Sequence, residues 1–426
     1  MTGSRRVTDG SVLISNGHGK FHLIYAAQGA HEFGLLDRLI TGAYPTSLVR
    51  RWITPVAGFT ESAALRRWLM RRVEGVNDEK IWACHSSEVW YQLAALASHT
   101  PLPKLMTHWL DAIALLTYRR AALRYVRRSP ARVYHCRAGY GGVSISEARR
   151  RGKRVVVDHS IAAPHALSQM VSCQGRYVAS ERPPLLPMWT LVQQDIEVAD
   201  LLLVNSDFVK RTLVDFGVDP GRIVVLYWGL DSEMESYLNH DPIGRSPAGP
   251  EVRFLFAGAV GKRKGADLLL RAFARVNAAA WRLTLAGPIE ADVAKAVAAV
   301  RDPRVQILGP VLRDELARVM LSNHVLVFPS LAEGSARVVL EAMAAGMAVV
   351  TTPNAGSVVV DRVHGLLVQP GSVESIVHAV ETLLGPQRDQ IPLYGAAARA
   401  LIMRDYHSGV YKAKLVAFYR ELLSAS

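Results

Sequence analysis

Two glutamates, Glu333 and Glu341, stand eight positions apart just after an apolar run that ends at Pro329 and Ser330. The pattern predicts a strand up to this point and a helix that begins near Ser335, with Glu333 in the turn and Glu341 about two turns into the helix. Eight residues of helical rise span about 12 Å, which is close to the separation of the ribose and the sugar in a nucleotide sugar. The N–H groups at the start of such a helix favour a diphosphate between the two carboxylates.

The alternative is that both glutamates are solvated on a surface helix. The same segment also contains Ala342, Ala344 and Ala345, which indicate close packing. Because carboxylates are rarely placed in packed segments without a role, a binding site is the favoured interpretation.

A second group of charged residues follows another apolar run that ends in glycine. Lys262, Arg263 and Lys264 lie between Gly258 and a helical pattern that starts at Ala266. Cations on such a loop can neutralise a diphosphate leaving group in place of a metal ion. A basic turn alone could be ordinary solvated surface, but its combination with the paired glutamates favours a phosphate site.

A glycine-containing loop follows the first apolar run of the chain. Gly17 and Gly19 allow the backbone to approach a ligand closely, and Lys20 and His22 stand beside them. We expect the glycines to contact donor phosphate and the two basic residues to contact an acceptor, although a structural turn is the alternative.

Asp158 and His159 end a buried apolar run, at the edge where α/β sheets bind ligands. His159 is therefore a candidate catalytic residue, and a purely structural histidine is the alternative. Asp158 could orient His159 or contact an acceptor.

Short apolar runs alternate with helical patterns in both halves of the chain, which predicts an α/β fold with parallel sheets. Between the halves, residues 239–250 contain three prolines and two glycines, which is typical of a linker. The expected division is an N-terminal domain over 1–232, a linker over 233–252 and a C-terminal domain over 253–404, followed by a helix over 405–426.

The positive charge is concentrated in the first half. The formal net charge is +13, and residues 1–230 carry 29 Lys and Arg against 18 Asp and Glu. This predicts an anionic partner such as a membrane surface, and nucleic acid is not expected because no nucleic-acid motif accompanies the charge. The three cysteines lie far apart, which fits a reducing cytoplasm, and no apolar run reaches the length of a membrane-spanning helix.

These motifs resemble those of the family 4 glycosyltransferases. Glu333 and Glu341 match the two glutamates of the family signature, the turn that follows is similar, and Lys264 matches the lysine of the family's diphosphate clamp. One departure is Ala259, where the family often has arginine, so Arg263 or Lys262 would have to supply the second cation. The resemblance covers most of residues 130–385.

The resemblance implies a GT-B fold, in which two Rossmann-like, doubly wound domains face a central cleft and the terminal helix crosses back onto the first domain. It implies a metal-independent, retaining hexosyltransferase that uses a nucleotide diphosphate sugar and no further cofactor. Glu333 would contact the donor sugar, with Gly334 and Ser335 beside it, while Glu341 would contact the ribose and His159 the sugar near the reacting centre.

The implied acceptor is a lipid-linked glycan or a growing polysaccharide, presented at the inner face of the membrane. The resemblance leaves two alternatives open. One is an isomerase of nucleotide sugars, such as an epimerase, and the other is a non-catalytic subunit of the same fold.

Overall fold

The computed structural model describes residues 10–19, 22–45, 73, 75–97, 104–238, 251–278 and 280–424. These residues form two parallel sheets. The first sheet has seven strands: Val12–Gly17 (β1), Leu36–Thr41 (β2), Ile81–Ala83 (β3), Val133–Arg137 (β4), Arg154–His159 (β5), Leu201–Val204 (β6) and Ile223–Val225 (β7). The second has six: Val252–Ala257 (β8), Trp281–Ala286 (β9), Val305–Gly309 (β10), Val325–Phe328 (β11), Ala348–Thr351 (β12) and Gly365–Leu367 (β13).

Helices connect the strands and cover the sheets. In the described part of the chain they are Leu23–Glu32 (α1), His85–Ala97 (α2), Lys104–Arg128 (α3), Val143–Arg150 (α4), Pro164–Met170 (α5), Pro187–Val198 (α6), Asp207–Asp215 (α7), Ser232–Leu238 (α8), Ala266–Phe273 (α9), Ala294–Ala298 (α10), Arg313–Leu321 (α11), Arg337–Ala344 (α12), Val373–Leu384 (α13), Ile391–Asp405 (α14) and Ser408–Ser424 (α15). None of them is both long and apolar enough to cross a lipid bilayer.

The strand order confirms the predicted doubly wound fold. It is β3-β2-β1-β4-β5-β6-β7 in the first sheet and β10-β9-β8-β11-β12-β13 in the second. In each sheet the order reverses between two neighbouring strands, β1 and β4 or β8 and β11. Ligands of such sheets bind beyond the carboxyl ends of the strands at this reversal point. The loops after β8 and β11 carry the basic turn and the first of the two glutamates, so the topology brings them to one place.

Both faces of the first sheet are buried, which explains its continuously apolar strands. Leu13 belongs to one apolar cluster, while Ile14 belongs to another that also contains Leu415 and Tyr419 of α15. The terminal helix therefore completes the core of the first half of the chain.

Two details differ from the sequence analysis. The predicted linker begins with a helix, since α8 occupies Ser232–Leu238, and residues 239–250 lie outside the described part of the chain. The strands β2, β3, β7 and β13 were not predicted, because Asp37 and Arg38 interrupt the apolar pattern of β2 and the other three strands have only three residues each.

One buried hydrogen bond ties α15 to the first sheet. The hydroxyl of Tyr419 lies 2.7 Å from Nδ1 of His135, which is fully buried in β4. Burial lowers the pKa of His135 to about 4, so the imidazole is neutral at physiological pH. The bond therefore satisfies a neutral buried nitrogen.

We expect Tyr419→Phe to lower the free energy of unfolding by about 1–3 kcal/mol, because it leaves Nδ1 of His135 buried without a partner. Urea denaturation measures this change. Tyr411→Phe in the same helix is the matched control, with an expected change below about 0.5 kcal/mol, since the Tyr411 hydroxyl makes no hydrogen bond with the described residues. Equal effects of the two substitutions would contradict the role given to the bond.

Candidate active site

Glu333 lies between two cations of the basic turn. Its Oε1 is 2.7 Å from Nη1 of Arg263 and 3.7 Å from Nζ of Lys264, and the carboxylate is largely buried. The basic turn follows β8 and Glu333 follows β11, so these charges meet at the reversal point of the second sheet. The structure therefore brings Arg263, Lys264 and Glu333 together, as the spacing in the sequence predicted.

Hydrogen bonds fix the basic turn against the segment that precedes Glu333. Nη1 of Arg263 donates to the carbonyl of Ala332 at 2.8 Å, and the carbonyl of Arg263 accepts from the Leu331 amide at 2.9 Å. The side chain of Lys262 is exposed instead. Of the two candidates for the second cation, Arg263 is thus the one that lies at the site.

The helix starts two residues after the predicted position and does not include Glu333, so a helical rise of eight residues does not describe the separation of the two glutamates. Helix α12 begins at Arg337, so Glu341 is the fifth helical residue and Glu333 stands in the preceding irregular segment. The chain turns between the two glutamates because residues 333–336 bind a neighbouring loop. The amides of Glu333 and Ala336 donate to the carbonyls of Asn354 and Ala355, both at 3.0 Å.

Glu341 is buried, and arginines compensate its charge. Nη2 of Arg313 lies 3.5 Å from Oε1 of Glu341. The same Arg313 group and Nη2 of Arg337 both bind Oδ2 of Asp231. Burial raises the pKa of Glu341, although Arg337, Arg313 and Lys264 oppose that rise. The influence of Lys264 places Glu341 in the same electrostatic environment as the basic turn.

Arg313, Asp231 and Arg337 were not identified from the sequence. Arg313 begins the helix after β10, at the edge where ligands are expected, and Asp231 directly precedes α8. Arg337 is the first residue of α12. A basic residue just after a strand was the signal that could have indicated Arg313.

Gly334 touches the first half of the chain. Its carbonyl accepts a 2.5 Å hydrogen bond from Oγ of Ser206, and a Cβ on Gly334 would lie 1.8 Å from the carbonyl oxygen of Ser160. Only glycine fits this contact. Beside it, Oγ of Ser335 is buried and has no hydrogen-bond partner among the described residues.

His159 lies at the carboxyl end of β5, directly before Ser160. It is buried, and its Nε2 donates to the carbonyl of Ala162 at 3.4 Å. Burial lowers the pKa of His159 to about 4, so the side chain is neutral near pH 7. His159 lines a cavity of about 230 Å³ together with Arg137, Tyr140 and Trp189.

Asp158 is paired with His22 and does not orient His159, which corrects one of the two roles considered for it. Nε2 of His22 donates to Oδ2 of Asp158 at 2.6 Å. The His22 ring also packs on Trp228, with 4.3 Å between the ring centroids, and lines a small second cavity of about 30 Å³ with Arg337. The pair thus lies beside the first residue of α12.

The glycine loop after β1 is held by aromatic side chains. Gly17 donates its amide to the Tyr118 hydroxyl at 3.2 Å, and a Cβ on Gly17 would lie 2.7 Å from the Tyr140 ring. A Cβ on Gly19 would make a milder contact, 3.3 Å from the Tyr91 hydroxyl. Packing thus accounts for both glycines, whose place in a donor site stays a prediction. Lys20, the other predicted residue of this loop, lies outside the described residues.

No group of three or more His, Cys, Asp or Glu side chains that could hold a metal ion occurs among the described residues.

Two family matches cover most of the chain. Residues 96–234 match the family described as Glycosyltransferase Family 4, and residues 251–385 match Glycosyl transferases group 1. A D-inositol 3-phosphate glycosyltransferase of Mycobacterium ulcerans is 30% identical over 236 residues, which are 52% of this chain and 50% of that protein. A sulfoquinovosyl transferase of Arabidopsis thaliana is 30% identical over 229 residues, 50% of this chain and 43% of that protein. The chain thus aligns with about half the length of these relatives.

Solved structures share the fold over nearly the whole chain. A sucrose-phosphate synthase of Thermosynechococcus elongatus has a TM-score of 0.66 at 16% identity, covering 98% of this chain and all of that one. HepE of Anabaena in complex with UDP has a TM-score of 0.62 at 14% identity, covering 96% of this chain and all of that one. The paired glutamates, the two family matches and this common GT-B architecture show that the chain belongs to the family 4 glycosyltransferases.

Proposed function

We propose that this protein transfers a hexose from a nucleotide diphosphate sugar to an acceptor and retains the anomeric configuration. The observation that carries the proposal is the cluster of Arg263, Lys264 and Glu333 at the reversal point of the second sheet, with Glu341 in the same electrostatic environment. Structures of HepE, which has the same fold, hold UDP and UDP-glucose. This supports a nucleotide sugar as the donor here.

The chain's own cations would stabilise the negative charge of the leaving group, as a metal ion does in other enzymes. A departing diphosphate gains negative charge, and Lys264 and Arg263 are fixed where that charge would develop. The first N–H groups of α12 add the partial positive charge of a helix N-terminus. We therefore propose a metal-independent reaction without a further cofactor.

The two glutamates would bind different parts of the donor. Glu341 is buried and held by Arg313, as a residue that accepts hydrogen bonds from ribose hydroxyls should be. Glu333 is next to Gly334 and Ser335 and points to the cations, so it is placed to orient the transferred sugar. Neutral His159 approaches from the other half of the chain, because Ser160 contacts Gly334.

The acceptor would enter through the cavity lined by His159 and Trp189. Aromatic rings there offer faces on which sugar rings can stack. We propose a lipid-linked glycan or a polysaccharide as the acceptor, in keeping with the basic first half of the chain. The reaction would then take place at the surface of a membrane.

We expect one class of nucleotide sugar to raise the melting temperature of the protein in a screen of UDP-, GDP- and ADP-sugars. A donor at about 100 times its dissociation constant adds about 2.7 kcal/mol. Glu341→Gln should abolish this shift because the neutral amide is a poorer partner for the ribose hydroxyls. Glu315→Gln, at an exposed position of α11, is the matched control and should keep the shift. A full shift in Glu341→Gln would refute the ribose assignment.

The same variant tests the cost of burying Glu341. The pKa of Glu341 is raised from 4.5, so ionisation near neutral pH destabilises the fold, and this cost vanishes as the pH falls and the group protonates. Without donor, Glu341→Gln should melt higher than the parent protein at pH 8, and the difference should narrow towards pH 5. A parent protein that is the more stable of the two at pH 8 would contradict this account.

We expect Lys264→Met to lower kcat by at least about 100-fold, because the leaving diphosphate loses a fixed cation. Lys262→Met in the same turn is the matched control, with a change within about twofold, since Lys262 is exposed. Transfer to an acceptor is measured with the donor identified by the screen, and NMR of the first product reports the anomeric configuration. Turnover without any acceptor, giving an isomerised donor, would show an epimerase instead.

A further inference from the structure

Large apolar side chains are exposed along one face of α3. Leu105, Trp109 and Leu116 occupy one side of this helix at spacings of four and seven residues, and Leu105 and Trp109 are each 54% exposed. Arg120 and Arg124 continue the same row towards the end of the helix, and both are exposed. The face therefore changes along its length from apolar to cationic.

Helix α2, which packs against α3, adds a second apolar row. Val89, Leu93 and Leu96 share one side of α2, and Leu96 is 66% exposed. Trp90 stands at the border of this row and is 38% exposed. We call the combined surface the docking face; its members are Val89, Trp90, Leu93, Leu96, Leu105, Met106, Trp109, Leu116, Arg120 and Arg124.

The charge of these helices is strongly one-sided. Over Lys104–Arg128 the sequence has six Lys and Arg, and the acidic residues of α2 and α3 are Glu88 and Asp111. Glu88 is buried and binds the amide of Ala43, so it does not offset the arginines at the surface. An occupant of the docking face must therefore be apolar at one end and anionic at the other.

We infer that the docking face binds an anionic lipid surface, with the leucines and tryptophans in the interface and Arg120 and Arg124 on the headgroup phosphates. Tryptophan and arginine beside exposed aliphatic residues are the combination that holds a helix in a membrane interface. A second copy of this chain would bring Arg120 and Arg124 against an equally cationic face. The inference rests on the proposed function in one respect, because the acceptor that the bound enzyme reaches in the membrane is the lipid-linked glycan proposed above.

The docking face lies on the outer sides of α2 and α3, whose other sides contact the glycine loop after β1 and the cavity of His159. On the opposite side of α2, Oγ of Ser87 binds Nε2 of His18 at 2.8 Å, and the Tyr91 ring stacks on the His18 ring with 4.8 Å between centroids. In α3, Leu115 lines the cavity of His159, while the next residue, Leu116, is exposed on the docking face. A lipid surface at this face would present its acceptor beside the glycine loop and the cavity.

Vesicle sedimentation tests the inference. We expect the parent protein to sediment with vesicles of equimolar phosphatidylglycerol and phosphatidylcholine and to stay largely in solution with phosphatidylcholine alone. Leu96→Glu/Trp109→Glu should weaken binding to the anionic vesicles at least about tenfold. Arg120→Gln/Arg124→Gln should weaken it about fivefold for each arginine.

Two matched controls carry the same substitutions elsewhere. Leu393→Glu, at a residue that is 60% exposed on α14, and Arg271→Gln, at an exposed position of α9, should leave vesicle binding unchanged. Unchanged binding in both docking-face variants, or no binding by the parent protein, would overturn the inference. A parent dimer in light scattering that Leu96→Glu/Trp109→Glu dissociates would also overturn it and would make the face a self-interface.

The donor screen separates this inference from the proposed function. The docking-face variants should keep the donor-induced rise in melting temperature, because no residue of the docking face lies in the donor site. A parent protein that binds anionic vesicles, but whose melting temperature no nucleotide sugar raises, would refute the proposed function. The inference that the docking face binds an anionic lipid surface would still hold.

Discussion

The ion cluster of Arg263, Lys264 and Glu333 depends on the reversal of strand order between β8 and β11, which brings together loops about 70 positions apart. Partly buried ion pairs contribute little net free energy, because desolvation offsets most of the attraction. An incoming diphosphate can therefore share these cations with Glu333 at little cost. The same weakness means that the hydrogen bonds of the turn to Leu331 and Ala332, and not the ion pairs, hold the cluster in place.

For Glu341, in contrast, the cost of desolvating the carboxylate exceeds the attraction of the nearby cations. Its carboxylate is buried deeply enough that its pKa rises despite the nearby arginines, so the fold would be more stable with a neutral residue there. A destabilising charge is expected where it serves binding. Asp231 links Arg313 to Arg337, and since Asp231 lies just after the first sheet, this network also joins the proposed ribose site to the junction between the two halves.

The sequence was sufficient for the fold and for the centre of the site, because both depend on local patterns. Short apolar runs predicted most strands, three of them ending in glycine, and the positions of Glu333 after one strand and of Lys264 after another predicted that these two side chains meet. The Asp231 network could not be predicted in this way, since its members lie in three separate segments and no periodic pattern connects them. The start of α12 was misplaced because the contacts with residues 354 and 355, which delay it, are tertiary.

Two neutral hydrogen bonds join the halves of the chain, beside the charged network of Asp231. Oγ of Ser206 binds the carbonyl of Gly334, and Nδ2 of Asn354 binds the carbonyl of Gly175 at 2.7 Å. Each such bond contributes about 0.5–1.5 kcal/mol, which is small beside the apolar cores of the separate sheets. Gly334 nevertheless sets the distance between the two loops, because any side chain at position 334 would collide with Ser160. The loop that carries Glu333 and the loop after His159 can therefore approach to backbone contact, and the proposed transfer between two bound sugars would require such closeness.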